Sequence, residues 1–486
     1  MNRKIVFNIV GRMLEIMSLF LLLPMIVSII YKEQESFVAF AVTVLISMLS
    51  GVLLRFFTRN YNKVMYAREG FLAVALVWFA ASLVGCIPFM ISGYVPNFAD
   101  AFFEMVSGFT TTGATVLDVG KLSHALLFWR SFSHWIGGMG VLVFMVAFMK
   151  NISDRAIHVL RAEMPGPVVG KIVPTAKDTS KVLYIIYIVL TLLEIVMLCL
   201  ADKNMGVFNS ILYSFGTAGT GGFGVNDNGI ASYAPAVAWI ISAFMIIFGI
   251  NFNLYYLLTI RRFKAAIKNS ELWTYFGIIA VATTLIAINV RPMFGSLSET
   301  LRHTVFQVSS LVTTTGFSTA NFDLWPMMAR SILFVLLFTG ACSGSTAGGL
   351  KLTRVMLLFK VGVKEVKRML HPRSVVSVKL DDKEIDETVQ KSVTTYFGVY
   401  MICIIVFFLI VCFDPKNTMD FETNFSASVT CFNNVGPGIG AVGPYGSFAD
   451  YSSFSKIVFS LAMLMGRLEI FPVLIALIPS AWRKKS

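Results

Sequence analysis

Residues 309–321 read Ser-Ser-Leu-Val-Thr-Thr-Thr-Gly-Phe-Ser-Thr-Ala-Asn, a stretch that crowds hydroxyl side chains around one glycine. It follows a short apolar run in a chain of 486 residues, of which 56% are hydrophobic. A similar stretch, Ser-Gly-Phe-Thr-Thr-Thr-Gly-Ala-Thr, occurs earlier at residues 107–115. The repetition of this polar pattern in an apolar chain decides how the surrounding sequence is interpreted.

The composition of the chain is that of a polytopic membrane protein. Mean hydropathy is +0.75, and only 14% of residues are charged, whereas soluble domains carry about 25%. Apolar windows of about 20 residues, the length that crosses about 30 Å of hydrocarbon, recur along the chain. They predict ten spanning helices, near residues 5–31, 36–58, 70–93, 124–149, 181–201, 234–259, 272–290, 326–350, 392–413 and 453–480.

Positive charge is concentrated in alternate connections between these spans. The connections 31–37, 94–123, 202–233, 291–325 and 414–456 together hold 7 basic and 13 acidic residues. The termini and connections of the other side hold 29 basic and 11 acidic residues. Because basic loops stay cytoplasmic, we expect a multi-pass protein of the cell (inner) membrane, in contact with membrane lipid, with both termini cytoplasmic. Charges dispersed among spans argue against a nucleic-acid partner.

Four of the acidic-side connections share one pattern. Each contains an apolar run that is too short to span, near residues 98–110, 207–218, 299–312 and 421–432. Each run leads into a polar glycine sequence: Thr111-Thr112-Gly113-Ala114, Thr220-Gly221-Gly222-Phe223, Thr314-Thr315-Gly316-Phe317 or Asn434-Val435-Gly436-Pro437. A run of about 12 apolar residues suits a re-entrant half-helix better than a span. The pattern of span, short helix, glycine turn and span is therefore a fourfold internal repeat.

The four glycine turns predict one shared cation pathway. Non-helical backbone at membrane depth is tolerated only where protein buries it or where it lines a water-filled cavity. Short helices that enter from outside would aim their partly negative C-terminal ends at a common axis. Glycine lets successive carbonyl groups turn inward, and rings of carbonyls can replace the hydration shell of a potassium ion. The alternative is a set of ordinary polar loops, which suits one such stretch better than four in register.

These observations predict an all-α polytopic membrane protein. Four pseudo-fourfold helix–pore-loop–helix repeats would surround one central pore, and two extra N-terminal transmembrane helices would precede them. The predicted divisions are residues 1–66 for the two N-terminal helices and 67–160, 161–265, 266–375 and 376–486 for pore repeats one to four. The predicted potassium-binding residues are Thr111, Thr112, Gly113, Thr220, Gly221, Gly222, Thr314, Thr315, Gly316, Asn434, Val435 and Gly436.

Around these glycine sequences the chain resembles the bacterial Trk/Ktr potassium-uptake family, whose relatives include fungal Trk and plant HKT transporters. The resemblance covers nearly the whole chain and includes three further stretches: 132–140 (FSHWIGGMG), 340–351 (GACSGSTAGGLK) and 466–471 (GRLEIF). The two N-terminal helices resemble the extra pair of the TrkH-type subunits, which Ktr subunits lack. The resemblance implies a homodimer with one pore per subunit. It also implies selectivity for potassium over sodium through the four filter glycines, Gly113, Gly222, Gly316 and Gly436.

Two of the glycine sequences depart from the Thr-Thr-Gly pattern. Gly221 stands in repeat two where Thr112 and Thr315 stand in repeats one and three. Repeat four has Asn434 and Val435 before its glycine. Rings of backbone carbonyls tolerate such changes, but a complete fourfold ring of threonine hydroxyl groups is not expected.

Residues 339–350 would fall inside the membrane if the eighth helix began near Pro326. The glycines, serines and threonines of this segment make a poor helix interior, since each glycine costs about 1 kcal/mol relative to alanine. We expect an intramembrane loop just below the filter, and the resemblance implies that it acts as a gate. The alternative is a glycine-mediated helix contact. The predicted gate residues are Gly340, Ser343, Gly344, Ser345, Thr346, Gly348, Gly349 and Arg467.

Arg467 is a charge within the tenth predicted helix, and such charges are functional candidates. Glu469 lies two positions on, so the two side chains should not share a helix face or neutralise each other. The resemblance implies that Arg467 lies beside the loop and raises the barrier to a cation. The alternative is a structural tether to helix-end carbonyls.

A basic connection, residues 351–391, follows the predicted loop. A solvated charge run is the default interpretation of such a segment. The resemblance implies instead a docking surface for a cytosolic nucleotide-binding regulatory ring of the TrkA type, for which residues 150–182 are a second candidate.

Other functional classes have little sequence support. Residues 438–443 match GxGxxG, but they lack the strand and helix of a dinucleotide site. Neither the six cysteines nor the five histidines show metal-ligand spacing, and no acid–base constellation predicts an enzyme. We therefore expect a gated potassium-conducting pore. The alternative is a secondary transporter that couples potassium entry to protons or sodium, for which Glu194 and Glu469 are the candidate carboxylates.

Overall fold

The computed structural model describes residues 2–61, 65–140, 176–226, 229–374, 376–381 and 383–482. Over these ranges nearly all regular structure is helical. The described helices of the first two-fifths of the chain are α1 (Arg3–Phe20), α2 (Leu22–Ile30), α3 (Gln34–Thr58), α4 (Ala67–Gly85), α5 (Ile87–Ile91), α6 (Phe98–Phe109), α7 (His124–Gly138) and α8 (Ala176–Ala201). Those that follow are α9 (Gly206–Gly219), α10 (Pro235–Phe248), α11 (Phe252–Thr259), α12 (Phe263–Ile267), α13 (Ser270–Val290), α14 (Leu297–Val312), α15 (Met327–Thr339), α16 (Leu352–Leu370), α17 (Glu387–Cys412), α18 (Phe421–Asn433), α19 (Ser453–Arg467) and α20 (Phe471–Leu477).

One small hairpin interrupts the helical chain after α16. Strand β1 (Lys379–Leu380) pairs antiparallel with β2 (Lys383–Glu384), with Lys379 opposite Glu384. Short 3₁₀ turns connect several of the helices. The expectation of an all-α membrane protein is therefore confirmed for the described residues, apart from this hairpin.

Six stretches of helix in the described residues are long and apolar enough to cross a membrane. They are Arg3–Ile30, Gln34–Thr58, Ala67–Ile91, Lys181–Ala201, Ser270–Met293 and Glu387–Cys412. They confirm six of the ten predicted spans. For the predicted span 124–149, α7 supplies the first part, and residues 141–149 lie outside the described ranges, as does most of the segment 150–182.

Two predicted spans are broken, so the expectation of a continuous helix is wrong at 234–259 and 453–480. In the first, α10 and α11 meet at 87°. Backbone groups at this break bond to the segment after α15: Gly249 accepts from the N–H of Cys342, and Phe252 donates to Gly344, both at 3.1 Å. Because these hydrogen bonds replace bonds within a helix, the chain can turn sharply here without leaving the groups unsatisfied.

The second break follows Arg467, the last residue of α19. Glu469 and Ile470 take left-handed φ angles of 54° and 68°, and Pro472 lies in the first turn of α20. These angles end a right-handed helix.

The eighth predicted span is also interrupted, as expected. Helix α15 ends at Thr339, and residues 340–351, hereafter the loop 340–351, are not helical before α16 begins at Leu352. Within the loop, φ is 64° at Gly340 and 73° at Gly344 and Gly349. Glycine adopts these left-handed angles without the steric cost that a side chain would add.

Four short helices occupy the four predicted apolar runs. We call α6, α9, α14 and α18 short helices 1 to 4; they contain 12, 14, 16 and 13 residues. Three begin at a side-chain cap, in which Asn97, Ser296 or Asp420 accepts a hydrogen bond from the first turn. Their last turns are buried among the long helices, with Phe109 packed edge-on against Trp129 at 5.9 Å. The apolar core thus surrounds the C-terminal ends of the short helices.

The N-terminal pair crosses at two glycines. A Cβ placed on Gly11 in α1 would lie 2.9 Å from the oxygen of Gly51 in α3, and a Cβ on Gly51 would lie 2.7 Å from the oxygen of Gly11. Such small residues let two helix backbones approach closely where lipid supplies no hydrophobic driving force.

Replacing Gly51 with leucine should push α1 away from α3 and destabilise the protein by about 1–3 kcal/mol, the usual cost of overpacking. The measurement is thermal unfolding of the purified protein in detergent. Gly277→Leu is the matched control, because no atom lies within 4 Å of a Cβ at Gly277. Equal midpoints for the two variants would contradict the close crossing.

Candidate ion pathway

Each short helix ends in the same backbone turn. A residue one or two positions beyond the end of the helix takes φ of 54–55° in all four cases: Thr111, Thr220, Thr314 and Asn434. Its N–H donates to the carbonyl three residues back at 3.0–3.3 Å, and the next N–H donates five residues back at 2.8–3.0 Å. This is the Schellman pattern, in which glycine usually holds the left-handed position. Threonine there costs about 1–2 kcal/mol of strain, so the three threonines are present despite the backbone's preference. Asparagine, as at Asn434, is a known substitute for glycine in this turn.

A glycine lies two residues after each turn, again with a left-handed angle. The φ values are 79°, 76°, 85° and 97° at Gly113, Gly222, Gly316 and Gly436. We call residues 111–113, 220–222, 314–316 and 434–436 glycine stretches 1 to 4. In every stretch a left-handed residue, an intermediate residue and a left-handed glycine follow one another. The four stretches therefore share one backbone path although their side chains differ.

The four glycine stretches touch one another in cyclic order. A Cβ on Gly113 would lie 2.0 Å from the oxygen of Gly221, and one on Gly222 would lie 1.9 Å from the oxygen of Thr315. A Cβ on Gly316 would lie 2.1 Å from the oxygen of Val435, and one on Gly436 would lie 2.5 Å from the oxygen of Thr112. Stretch 1 thus contacts 2, 2 contacts 3, 3 contacts 4, and 4 contacts 1. We call this closed arrangement the glycine ring; it brings together all twelve residues predicted to bind potassium.

The side chains of the ring brace its backbone in different ways. The hydroxyl groups of Thr112 and Thr315 each bond to a threonine hydroxyl two residues earlier, at 2.8 and 2.7 Å. Asn434 donates to Thr112 at 3.0 Å and so ties stretch 4 to stretch 1. The hydroxyl of Thr111 is fully buried and has no hydrogen-bond partner in the described part of the chain. These hydroxyl groups do not repeat fourfold, as the departures at Gly221 and Val435 led us to expect.

A buried ion pair between Arg130 and Glu104 contacts the backbone that follows glycine stretches 1 and 2. Arg130 Nε donates to Glu104 at 2.5 Å, and its Nη1 donates to the carbonyl of Gly224 at 2.8 Å. Glu104 also accepts from the hydroxyl of Thr115 and the N–H of Val116, at 3.0–3.1 Å. Removing one partner of such a pair would leave a buried charge uncompensated. This pair was not predicted from the sequence, although a charge inside an apolar helix, such as Arg130, is a recognisable signal.

One cavity lies against the glycine ring, and a second, separate cavity lies against the loop 340–351. One, of about 330 Å³, is lined by all four ring glycines together with Arg130 and Asp118. The other, of about 70 Å³, is lined by residues of the loop 340–351 together with Arg467 and Glu469. No described residue lines both cavities.

The loop 340–351 packs directly against the glycine ring. The N–H of Gly348 donates to the hydroxyl of Thr314 at 2.6 Å. A Cβ on Gly348 would lie 2.5 Å from the oxygen of Asn433, at the end of short helix 4. The loop therefore touches repeats three and four at the C-terminal ends of their short helices. It contains seven of the eight predicted gate residues: Gly340, Ser343, Gly344, Ser345, Thr346, Gly348 and Gly349.

Arg467, the eighth predicted gate residue, joins the loop to repeat one. Its Nη1 donates to the carbonyl of Thr346 at 2.8 Å, and its Nη2 donates to the carbonyls of Gly137 and Gly138 at 2.5 and 3.0 Å. Arg467 therefore lies beside the loop, and it is also tied to the helix-end carbonyls of Gly137 and Gly138.

Among the described residues Glu469 forms no ion pair with Arg467, as predicted. It instead forms an ion pair with Arg354 of α16 at 2.6 Å. The guanidinium of Arg354 also lies 4.2 Å from the ring centre of Tyr396.

Glu271 anchors the opposite side of the loop and was not predicted from the sequence. It accepts hydrogen bonds from the N–H of Ser343 at 2.7 Å and from the N–H of Thr353 at 3.2 Å, and also from the Thr353 hydroxyl. One buried carboxylate thus ties the start of α13 to the loop at Ser343 and to the first turn of α16 at Thr353. Its sequence position, in a basic connection at the start of a span, resembles that of an ordinary first-turn acidic residue.

Comparisons with known proteins cover almost the entire chain. The profile of the TrkH family, described as a cation transport protein, matches residues 36–484. The chain is 36% identical over 493 residues to the Trk system potassium uptake protein TrkH of Salmonella typhimurium, with 100% of both covered. It is 33% identical to the Trk system potassium uptake protein TrkG of Escherichia coli, with 99% of both covered.

A solved structure shares the fold. The crystal structure of the potassium transporter TrkH from Vibrio parahaemolyticus matches with a TM-score of 0.88 and 32% sequence identity, covering 99% of this chain and 100% of that one. This agreement, together with the apolar spans, makes the chain a multi-pass membrane transport protein rather than an enzyme. The chain belongs to the TrkH family of cation transport proteins.

Proposed function

We propose that this chain is the potassium-selective, ion-conducting transmembrane subunit of a Trk-type potassium uptake system. The closed glycine ring is the observation that carries the proposal. Four stretches of one chain meet in cyclic contact, each at the C-terminal end of a buried short helix. The relatives named above are potassium uptake proteins, which agrees with this assignment.

The ring suits a dehydrated monovalent cation. Four helix C-termini contribute partial negative charge, and main-chain carbonyls can replace the water that a potassium ion loses. In this proposal the 330 Å³ cavity is the outer entrance. The residue ranges 67–160, 161–265, 266–375 and 376–486 then form four pore repeats around the ring, preceded by an N-terminal pair at 1–66.

The loop 340–351 is the proposed gate. It occupies the space between the ring and the smaller cavity, where Thr314 and Arg467 both bond to it. The charge of Arg467 beside this loop raises the electrostatic barrier to a cation. Opening requires the loop to leave Thr314 and to move away from the ring.

Helix α16 connects this gate to the cytoplasmic side. It begins at Leu352, directly after the loop, so a force applied to the helix reaches the loop without an intervening linker. The basic connection that contains α16 is our proposed docking surface for a cytosolic nucleotide-binding regulatory ring of the TrkA type. The same proposal places both termini in the cytoplasm and pairs two subunits as a homodimer, each with its own pore.

One observation favours the alternative, a transporter coupled to protons or sodium. Glu194 in α8 is completely buried, and neither carboxyl oxygen has a hydrogen-bond partner among the described residues. A buried carboxyl group without a charged partner is the kind of group that binds a proton in coupled transporters.

Replacing Gly316 with serine should lower potassium-over-sodium selectivity by about tenfold, equivalent to about 1.4 kcal/mol. The new side chain would strain a residue with φ of 85° and strike the oxygen of Val435, so the ring must distort. Reversal potentials in planar bilayers with mixed cations measure the permeability ratio. Gly277→Ser, at an unobstructed glycine, is the matched control. An unchanged ratio in the conducting Gly316→Ser protein would refute the filter assignment.

Deleting residues 343–348 should raise rubidium uptake into proteoliposomes by about tenfold or more, because a closed two-state gate leaves about 10% or less of the protein open. The combined deletion and Gly316→Ser variant is the control. It should show the raised flux with reduced selectivity, whereas a non-specific leak would not depend on residue 316. Uptake no faster than that of the unaltered chain would contradict a gating role.

A pH gradient should not shift the potassium reversal potential if the chain conducts without coupling. The measurement compares the unaltered chain with Glu194→Gln in the same bilayers, at fixed potassium and sodium. A pH-dependent shift that disappears in Glu194→Gln would favour the proton-coupled alternative over the conducting pore.

A further inference from the structure

Repeat two lacks a feature that repeats one and three share. In those repeats two threonine hydroxyl groups bond to each other behind the glycine stretch: Thr110 with Thr112, and Thr313 with Thr315. The equivalent positions of repeat two are Gly219 and Gly221. Both the hydroxyl pair and its side-chain volume are therefore missing from one quarter of the ring.

A single residue of α7 occupies that volume. A Cβ on Gly221 would lie 2.2 Å from Cγ and 2.3 Å from Nδ1 of the His134 ring. A Cβ on Gly219 would lie 2.2 Å from the backbone oxygen of the same residue. Neither glycine has a positive φ, so the backbone conformation itself permits a side chain at both positions. His134 is what excludes those side chains.

His134 is held by packing rather than by hydrogen bonds. The side chain is completely buried and stacks on Phe223, with ring centres 4.2 Å apart and planes inclined by 22°. Neither ring nitrogen has a hydrogen-bond partner in the described ranges of the chain. Most buried polar groups in proteins are hydrogen-bonded, so this one is retained for another reason. Its ring contacts the chain on both sides of Gly222.

We propose that His134 is a positioning residue of the ion filter, which takes in repeat two the place of the threonine pair in repeats one and three. The inference rests on the proposed function of the glycine ring. The imidazole lies on the Cβ side of Gly221, whose carbonyl oxygen meets Gly113 where stretches 1 and 2 join. Without the imidazole of His134, a cavity opens beside residue 221, and the carbonyl group of Gly221 can move away from the pathway. Loss of a fixed carbonyl lowers the discrimination between potassium and sodium.

A double-mutant cycle tests whether His134 positions the backbone at Gly221. Gly221→Ala alone places a methyl group inside the imidazole and should lower the potassium-over-sodium permeability ratio by about tenfold. His134→Ala alone leaves a cavity and should also lower the ratio. In the double variant the methyl group of residue 221 no longer overlaps the imidazole and instead fills part of the cavity. The double variant should therefore be more selective for potassium than Gly221→Ala. Such a non-additive effect is expected between residues in contact. Gly277→Ala is the control, because its Cβ would meet no atom within 4 Å.

His134→Phe separates shape from hydrogen bonding. Phenylalanine keeps a flat ring that can stack on Phe223 but has no ring nitrogens, so it should recover most of the selectivity lost in His134→Ala. Thermal unfolding in detergent, measured for every variant, identifies those that fold. If the alanine variants do not fold, the folded His134→Phe protein decides: retained selectivity supports the proposal and lost selectivity overturns it.

Two further results would overturn the proposal. One is a wild-type permeability ratio in folded His134→Ala, and the other is a double variant no more selective than Gly221→Ala. Gly316→Ser, measured in parallel, separates this inference from the proposed function. If Gly316→Ser alone changes the ratio, only the role of His134 fails; if no variant changes it, the ring is not the filter.

Discussion

Main-chain polar groups cannot be left unpaired in hydrocarbon, and the fold depends on this constraint. The four short helices end in Schellman turns, whose hydrogen bonds satisfy the carbonyls at each helix end. The glycine stretches that follow contact one another instead of lipid. The backbone oxygens of these stretches therefore meet at one place in the described part of the chain, where the proposed pathway would offer them to a dehydrated ion.

The same constraint explains the breaks in the long helices. The loop 340–351 has its own polar backbone, and it bonds to Gly249, to Phe252 and to Arg467. Each of these partners lies at a point where a neighbouring helix is interrupted. Because the polar backbone groups of the loop need partners, neighbouring helices must be interrupted where they supply those partners. The loop, the bend between α10 and α11, and the end of α19 form one interdependent unit.

The parts of this fold that depend on local composition could be predicted from the sequence. Length and apolarity located the six long spans, and the repetition of glycine sequences located the short helices. The glycine, serine and threonine content of residues 339–350 located the loop. The break after α10 was missed because Gly249 bonds to Cys342, a partner far away in the chain. The break after α19 was missed because it lies inside one continuous apolar window, residues 453–480. Glu271, Glu104 and His134 were missed for a related reason: what each does depends on the atoms it faces. Such contacts cannot be inferred from spacing alone.

The glycine ring is built by one polypeptide, and its four corners are not identical. In a channel assembled from four equal subunits, any mutation changes every corner at once. Here a mutation alters one corner and leaves three intact, as the glycine pair of repeat two and the asparagine of repeat four illustrate. In the proposed filter, ion preference can therefore change in small steps, one corner at a time, without a form in which the whole constriction has changed.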